Sequence, residues 1–433
     1  MSYSSPKGLF DVIPQEIVIE EAWKEVHRWQ YLEKQLHKVA KIYGFQEIRT
    51  PIFERTNLFL RTSGETSDIV SKEMYQFKDK GDRSLALRPE GTAPVIRAFI
   101  ENHFEQLGSF HKLYYIGPFF RYNRPQKGRF RQFHQFGVEV IGGSPPEQDA
   151  EIIQMLWMIY QTLGLKDITL CINSIGDNTT RNKYRSLLKQ YLEPNYAKLS
   201  AEGKLTFQKN PLRLLDTKHP NDAMLLQNIP SIQDVLSQEA QDHFDQVLSF
   251  LNMLQIPYTI NPKLVRGLDY YNHTVFEFMT HSLGSQSSIG SGGRYDGLLE
   301  FLGGTHLPST GFALGIERVL QLMELQKCLF PKRNSLFFYL LPLHEESKQF
   351  LIPILFKLRA LGIQTDMNFK LQKIQKGLQQ ANRFHTEYCL IVGEEELQND
   401  RLQIKKMKNG EITIVSKKRL IQYMQILWQS HGF

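Results

Sequence analysis

Cysteine is scarce in this sequence. The three cysteines, Cys171, Cys328 and Cys389, lie far apart and form no CxxC pair. This spacing argues against a disulfide framework and against a cysteine-ligated zinc site. The histidines offer no substitute, because His103, His111 and His134 have no metal-ligand spacing. No metal site in the protein is therefore predicted.

Long apolar runs are also lacking. The best apolar run, residues 336–343, has the length of a strand and contains Pro342, so no membrane span and no membrane partner are predicted. The first ten residues lack the apolar centre of a secretory signal. We therefore expect a cytoplasmic protein.

Neither sign of charge dominates. The formal net charge is +7 over 433 residues, which permits a polyanionic partner without indicating one. The length exceeds what one compact core usually contains, so two or three domains are expected. That size is ample for an enzyme.

Periodicity of apolar residues predicts an α+β fold. Apolar residues at helical spacing over residues 15–43 predict one long helix. Helices are also predicted at 92–102 and 146–163. Short β-patterned runs lie at residues 47–53, 112–116, 119–122, 133–141 and 168–172. Short turns between neighbouring strands predict a mostly antiparallel sheet with flanking helices.

The order of these patterns predicts a division of the chain. Residues 1–326 form the main domain, which is interrupted by a helical insertion at 177–258. Residues 327–334 form a linker, and 335–433 form a separate α/β domain of a common size. This last part alternates strands at 335–341, 364–367 and 388–392 with helices at 345–361 and 371–383, before a hairpin around Asn409-Gly410.

An arginine-rich segment carries the clearest chemistry. In FRYNRPQKGRFRQFHQFGVE, residues 120–139, strand-like ends flank a basic bend. Gln135 and Glu139 are four apart and therefore point to one face of a strand. Arginines beside a polar face suit a small zwitterion next to a polyphosphate, because guanidinium groups match phosphate oxygens. A solvated basic hairpin is the alternative, and it leaves the polar face unexplained.

Three segments in the right order resemble the class II aminoacyl-tRNA synthetases. The segment 120–139 resembles motif 2 in the form found in histidyl-tRNA synthetases. GFALGIER at 311–318 resembles motif 3, and RTPIFE at 49–54 resembles motif 1. Motif 1 alone is a weak signal, whereas motif 2 at this length, together with the others, is specific.

Further segments narrow the resemblance to the histidyl-tRNA synthetases. LVRGLDYY at 264–271 and SGGRYDGL at 291–298 resemble the two histidine-specific signatures, although Ser291 stands where Ala is common. LRPEGT at 87–92 resembles the loop that holds the substrate amine. The resemblance extends over nearly the whole chain.

The resemblance implies a ligase that works in two steps. Histidine and ATP would give histidyl-adenylate and pyrophosphate, and the histidyl group would pass to the 3′ end of tRNA(His). It implies the class II catalytic fold for the main domain and an anticodon-binding domain for the last hundred residues. It also implies a homodimer, built around the motif 1 proline, with Mg²⁺ carried by ATP.

The resemblance also assigns roles to individual residues. Three arginines are expected to be catalytic: Arg266 bridges the histidine carboxylate and the α-phosphate, Arg121 holds the α-phosphate, and Arg318 holds the γ-phosphate. Phe133 is expected to stack on adenine. The basic bend, with Arg124 and Gln126, is expected to meet the acceptor end of tRNA.

Histidine is expected to be bound by polar and aromatic residues from four segments. The expected histidine-binding residues are Glu90, Gly91, Thr92, Gln135, Glu139, Tyr270, Tyr271 and Tyr295. Glu139 and Tyr271 match the positions that contact imidazole, whose neutral ring offers one donor and one acceptor. Glu90, Thr92 and Gln135 match those that hold the ammonium group.

Two other functions are possible on the same sequence. A synthetase-like regulatory subunit of histidine biosynthesis shares the catalytic fold, but typically lacks the anticodon domain and loses the ATP arginines. This chain keeps Arg121, Arg266 and Arg318. A basic RNA-binding protein without catalysis would leave the polar substrate face without a purpose.

Overall fold

The computed structural model divides into two compact units, Met1–Phe330 and Pro331–Phe433. It describes residues 3–15, 18–63, 67, 69–124, 126, 128–217, 219–284, 288–331 and 336–431. Parts of five predicted features lie outside these residues: 16–17 of the first helix, 125 and 127 of the basic bend, 218 of the helical insertion, 332–334 of the linker, and 335 of the next strand. No helix within the described residues is long and apolar enough to cross a membrane.

The N-terminal unit mixes helices and strands along its whole length. Its α-helices are α1 (Val26–Ile42), α2 (Thr56–Ser63), α3 (Thr92–Glu101), α4 (Pro146–Thr162), α5 (Asn178–Leu192), α6 (Ala201–Lys209), α7 (Pro220–Leu225), α8 (Gln238–Met253), α9 (Leu298–Phe301) and α10 (Ile316–Leu325). Its strands are β1 (Gln46–Glu47), β2 (Phe53–Arg55), β3 (Gln76–Lys78), β4 (Ser84–Leu87), β5 (His111–Phe120), β6 (Gln132–Ile141), β7 (Ile168–Ser174), β8 (Tyr258–Ile260), β9 (Asn272–Thr280), β10 (Ser288–Arg294) and β11 (Ser309–Gly315). Short 3₁₀ or π turns lie at Ile19–Lys24, Ile69–Glu73, Phe104–Leu107, Glu193–Lys198, Pro211–Asp216, Ile232–Val235 and His281–Leu283.

A large sheet organises this unit. Among the described residues it has eight strands in the order β1-β5-β6-β11-β10-β9-β7-β8. The five inner pairings are antiparallel, and only the two outermost pairs, β1 with β5 and β7 with β8, are parallel. The predicted α+β class with a mostly antiparallel sheet is therefore confirmed. A smaller sheet has the order β2-β4-β3.

Helices α1, α4, α8 and α10 share one hydrophobic core with this sheet. In α1 the residues Trp29, Leu32 and Leu36 recur at helical spacing and are buried. Phe244 and Val247 of α8 are buried in the same core, and α8 packs on α4. The last helix of the segment 177–258 is thus anchored to the core, while α5 packs with nearby 3₁₀ turns in a separate cluster.

The first predicted helix is interrupted. Residues 19–24 form a 3₁₀ turn, Glu25 is extended (φ −70°, ψ 125°), and only then does α1 begin. The cause is a bridge to the preceding chain: the Ile13 N–H donates to the Lys24 carbonyl (3.1 Å), and the Val26 N–H donates to the Ile13 carbonyl (2.8 Å). The prediction of one helix over 15–43 is therefore wrong, because a tertiary contact overrides the apolar periodicity.

The predicted strand at 47–53 is also divided. Strand β1 ends at Glu47, β2 begins at Phe53, and the residues between them lie in no strand. Pro51 has no N–H for a ladder. Instead, the buried Arg88 guanidinium donates to the carbonyl and hydroxyl oxygens of Thr50 at 2.9 and 3.0 Å. The Arg88 side chain therefore holds the first part of the motif 1 segment, whereas Phe53 and Glu54 at its end pair with strand β4.

The C-terminal unit is a five-stranded mixed sheet with helices, counted over its described residues. The strands are β12 (Phe338–Pro342), β13 (Thr365–Met367), β14 (Tyr388–Val392), β15 (Leu402–Lys406) and β16 (Ile412–Val415), in the order β13-β12-β14-β15-β16. The helices are α11 (Glu345–Ala360), α12 (Ile374–Arg383), α13 (Glu394–Gln398) and α14 (Leu420–Ser430). Strands β12, β13 and β14 are parallel, and β15 and β16 form the antiparallel hairpin that Asn409-Gly410 predicts.

Candidate active site

A cavity of about 630 Å³ in the N-terminal unit brings most of the expected site residues together. The expected residues that line it are Glu90, Gly91, Thr92, Arg121, Phe133, Gln135, Arg266, Tyr270, Tyr271 and Arg318. Glu139 and Tyr295 do not line the cavity and are each only 1% exposed. Arg124 and Gln126 also lie outside the lining, and they are exposed in the bend between β5 and β6.

Arg121 lies just after β5, beside an aromatic ring of the next strand. Its Nε donates to the Pro89 carbonyl at 2.9 Å, and its guanidinium carbon is 5.3 Å from the centre of the Phe133 ring. Its backbone N–H donates to the Arg131 carbonyl at 2.9 Å, which closes the base of the basic bend. A flat cation and an aromatic face are thus held at one wall of the cavity.

Arg318 lies in the first turn of α10 and connects the basic bend to the start of strand β10. Its Nε donates to the Gly128 carbonyl at 3.1 Å, and one Nη donates to the Ser288 carbonyl at 2.6 Å. Burial, followed by the positive charges of Arg129 and Arg121, lowers the pKa of Arg318 to about 10. Arginines that repel one another in this way favour a polyanion between them.

Arg266 belongs to the loop between β8 and β9. One Nη donates to the Ser291 hydroxyl, and the other lies 3.7 Å from a Glu277 carboxylate oxygen. Its buried Nε has no hydrogen-bond partner within the part of the chain that the structure describes. Because an unpaired buried donor is costly, this N–H is suited to an acceptor on a bound molecule.

Glu90 is buried where α3 begins. Its carboxylate oxygens accept from the N–H groups of Thr92 (2.7 Å) and Ala93 (3.0 Å), the first residues of the helix. Burial raises the pKa of Glu90 to about 7, although these backbone donors and Arg121 oppose the shift. The helix N-terminus thus orients a carboxylate that can accept from a substrate ammonium group.

Glu139 lies beneath the cavity with both carboxylate oxygens occupied. One oxygen accepts from the Thr92 hydroxyl at 2.8 Å and the Tyr115 hydroxyl at 3.3 Å, and the other accepts from the Tyr295 hydroxyl. Burial raises the pKa of Glu139 to about 8, despite these three donors. Gly311 on the neighbouring strand makes room for it, since a Cβ atom there would lie 2.3 Å from the carboxylate.

Tyr270, Tyr271 and Tyr295 form an aromatic group between the cavity and Glu139. The Tyr270 ring centre lies 4.7 Å from that of Tyr271 and 5.7 Å from that of Tyr295. Burial raises the pKa of Tyr270 and Tyr295 well above the ordinary tyrosine value. Both hydroxyls therefore remain protonated donors at neutral pH.

Sequence reasoning missed several carboxylates and a tyrosine of the site. Glu73, Tyr115, Glu277 and Glu317 line the cavity. The sequence could have pointed to Glu277, which is the single carboxylate in the otherwise apolar run 275–279 of β9. Tyr115, in contrast, is indistinguishable in the sequence from a core aromatic residue. Glu317 accepts from both the backbone N–H and the ring Nδ1 of His134, so it holds the strand that carries Phe133. No group of metal-binding side chains occurs among the described residues.

Two family models match the chain. One, for histidyl-tRNA synthetase, matches residues 20–319, which is more than half of the chain. The chain belongs to the histidyl-tRNA synthetase family. The second model, for an anticodon binding domain, matches residues 338–427. The resemblance inferred from the motifs is thereby confirmed.

Relatives of the histidyl-tRNA synthetase family align with nearly the whole chain. A histidine–tRNA ligase of Protochlamydia amoebophila is 49% identical over 411 residues, which cover 95% of this chain and 96% of the relative. One of Lactiplantibacillus plantarum is 44% identical and covers 98% of both chains. The crystal structure of apo S. aureus histidyl-tRNA synthetase has a TM-score of 0.82 at 36% identity, with 98% of this chain and 100% of that chain covered.

Proposed function

We propose that this cavity joins histidine to ATP and then passes the histidyl group to tRNA(His). In the first step a histidine carboxylate oxygen attacks the α-phosphorus, and pyrophosphate leaves. In the second step a hydroxyl group at the 3′ end of tRNA attacks the carbonyl carbon, and AMP leaves. The observation that carries the proposal is the convergence of Arg121, Arg266 and Arg318 on one cavity that also holds Glu90 and Gln135.

The arginines supply the positive charge that the first step needs. A carboxylate and a triphosphate repel each other, so donors aimed at the α-phosphate lower the barrier. Arg121 takes the α-phosphate and Arg318 the γ-phosphate, with Phe133 stacked on adenine. Arg266 bridges the carboxylate and the α-phosphate, a role supported by its buried Nε without a partner among the described residues. Mg²⁺ arrives with ATP as part of the substrate.

The polar wall of the cavity accounts for the amino acid. Glu90, Thr92 and Gln135 hold the ammonium group, and all three line the cavity. Glu139 and Tyr271 meet the imidazole, with Tyr295 and Glu139 forming the floor beneath it. Because Glu139 already accepts from three hydroxyls, histidine binding replaces or rearranges at least one of these hydrogen bonds.

Transfer RNA is expected to contact both units. Arg124 and Gln126 are exposed in the bend next to the cavity-lining Gly128, a position that suits the acceptor end. The C-terminal unit, which the anticodon-domain model matches, serves the anticodon. The division into a catalytic domain at 1–326, an insertion at 177–258, a linker at 327–334 and an anticodon domain at 335–433 belongs to this proposal.

We also propose that the chain works as a homodimer in the cytoplasm. The motif 1 segment and the small sheet beside it expose large apolar side chains: Ile52 is 44%, Phe53 53% and Phe77 42% exposed. Neighbouring exposed apolar groups of this size often mark an interface. Sedimentation at micromolar concentration tests the dimer, and Phe53→Asp should shift it toward monomer.

Exchange of pyrophosphate into ATP, measured with each of the twenty amino acids, tests the activity. We expect exchange with histidine alone, and charging only of tRNA(His). Exchange with a different amino acid would reassign the pocket. Absence of any exchange, with intact folding, would favour the regulatory-subunit alternative.

A further inference from the structure

Arg294 is a fully buried cation whose N–H groups are all used. It is 1% exposed, and its Nε and one Nη donate to the two oxygens of Asp149 at 3.2 and 2.9 Å. The same Nη reaches the Pro145 carbonyl at 3.4 Å, and the other donates to the Gly143 carbonyl at 2.8 Å and to Asp296 at 3.1 Å. A guanidinium has five N–H groups, so this one is saturated.

The backbone at Gly293 directs the side chains of Arg294 and Tyr295 to different neighbours. Strand β10 shifts its register at Gly293, which has φ of 157° and would place a Cβ atom 2.5 Å from the Thr274 carbonyl oxygen. Arg294 then reaches Asp149 at the start of α4, whereas Tyr295 donates to Glu139. Tyr295 follows Arg294 directly in the chain. Because the Arg294 side chain is fixed, the position of the Tyr295 hydroxyl is fixed as well.

A helix of the 177–258 segment shares the same carboxylate. The His243 Nε2 lies 2.8 Å from the Asp149 oxygen that accepts from Arg294 Nε, and the His243 side chain is 15% exposed. Burial alone would raise the pKa of Asp149, but Arg294 and His243 hold this pKa well below its usual range. Asp149 is therefore a carboxylate shared by β10, α4 and α8.

Stability alone does not explain such a group. Replacing a buried ion pair by well-packed apolar side chains is often neutral or stabilising, whereas the pair fixes one geometry. The geometry fixed here belongs to the floor of the cavity. We propose that Asp149 is a positioning residue that acts through Arg294 to hold Tyr295 against Glu139, and that His243 joins helix α8 to this network.

The inference rests on the proposed role of Tyr295 and Glu139 in binding histidine, and a double-mutant cycle tests it. The full chain is measured by pyrophosphate exchange, with the KM for histidine and for ATP determined separately. Asp149→Asn and His243→Leu should each raise the histidine KM, by about tenfold for the loss of one well-placed hydrogen bond. The ATP KM should change less than about twofold, because the arginine wall is untouched.

The decisive variant is Tyr295→Phe, which removes the hydroxyl through which the network acts. In this background His243→Leu should raise the histidine KM no further, since coupled residues are not additive. In the parent chain, His243→Gln keeps a donor and should therefore retain most of the histidine affinity that His243→Leu loses. Leu251→Ala is the matched control on the same helix: it weakens the core without contacting Asp149, and should leave the histidine KM unchanged.

Each contrary outcome identifies a different error. If Tyr295→Phe raises the histidine KM while His243→Leu and Asp149→Asn do not, the positioning role is overturned and the pocket assignment stands. The same conclusion holds if the effects simply add, or if Leu251→Ala acts like His243→Leu. If Tyr295→Phe leaves the histidine KM unchanged, the assignment of the pocket fails and the positioning role fails with it. Should Asp149→Asn not fold, the test is completed by His243→Leu, His243→Gln, Tyr295→Phe and the double variant of His243→Leu with Tyr295→Phe.

Discussion

The Tyr115 ring lies against the backbone of Gly137, so closely that a Cβ atom on Gly137 would be 2.3 Å from the tyrosine hydroxyl. Gly91 lies as close, because a Cβ atom there would also be 2.3 Å from that hydroxyl. Two glycines thus leave the space through which Tyr115 reaches Glu139 at 3.3 Å. The pocket floor therefore depends on glycine at both positions, because a side chain at either one would displace Tyr115.

Gly137→Ala should therefore damage the floor without altering a functional group. The methyl group must displace Tyr115, which overpacking predicts will cost about 1–3 kcal/mol of stability. We expect the histidine KM to rise more than the ATP KM in pyrophosphate exchange. Gly297→Ala is the matched control, because nothing lies within 4 Å of a Cβ atom there and its φ of −91° is ordinary. Equal effects of both substitutions would refute this role for Tyr115.

Arg266→Ala should lower the rate of adenylate formation by about 10²-fold or more, the scale for losing one charge-stabilising donor. Folding should persist, since the side chain makes one hydrogen bond and one longer ion pair. Arg266→Lys should restore little, because a point charge cannot bridge two oxygens in a fixed plane. Single-turnover measurement with saturating histidine separates this step from binding. A near-normal rate in the alanine variant would remove Arg266 from the mechanism.

Part of the fold could be predicted because some elements carry their own signal. The helix predicted at 146–163 is found at Pro146–Thr162, and the strand predicted at 388–392 is found at those residues. Strand β10 could not be predicted, since its glycines leave no apolar alternation. It exists because its backbone pairs with β9 on one side and β11 on the other. Glycine at position 292 permits the close approach to β11, since a Cβ atom there would lie 2.1 Å from the Gly311 carbonyl oxygen.

The candidate site shows the same division. The motifs and their order predicted that Arg121, Arg266 and Arg318 belong to one site. All three line the same cavity. Spacing could not show that Glu139 lies beneath the lining, because that depends on which hydroxyls of distant segments cover it. Nor could it show Tyr115, whose role arises from two glycines on β6 and before α3.

Glu139→Gln should change how stability depends on pH. The folded-state pKa of Glu139 is raised from 4.5 to about 8, so the folded chain binds a proton more tightly than the unfolded chain. The stabilisation from that proton is complete below the unfolded pKa and is lost as pH rises through the folded pKa. Glutamine has no such proton.

The unfolding free energy of Glu139→Gln should therefore improve relative to the parent as pH rises from about 5 to about 8. Denaturant titrations of both proteins at several pH values give the difference directly. Glu90 remains in both proteins, so its own raised pKa cancels to first order. A difference that is constant over this range would show that Glu139 is already ionised in the folded chain.

Removal of the C-terminal unit should separate the two steps of the reaction. A chain that ends at Phe330 keeps the whole compact unit Met1–Phe330 and every residue that lines the cavity. Exchange of pyrophosphate with histidine should therefore survive at least in part. Charging of tRNA should fall much further, because the shortened chain lacks the unit that we propose binds the anticodon and the phosphates near it.

The informative quantity is the ratio of charging to exchange in the two proteins, measured at one salt concentration. If the shortened chain is less stable, exchange and charging fall together, so this ratio stays the same. The dependence of tRNA affinity on log salt should also be shallower in the shortened chain, because fewer phosphates are neutralised. The slope should fall by about 0.9 for each duplex phosphate, and by about 0.7 for each single-stranded phosphate, that the C-terminal unit binds. Equal ratios and equal slopes would mean that the last hundred residues do not serve tRNA binding, and the anticodon role would then have to be abandoned.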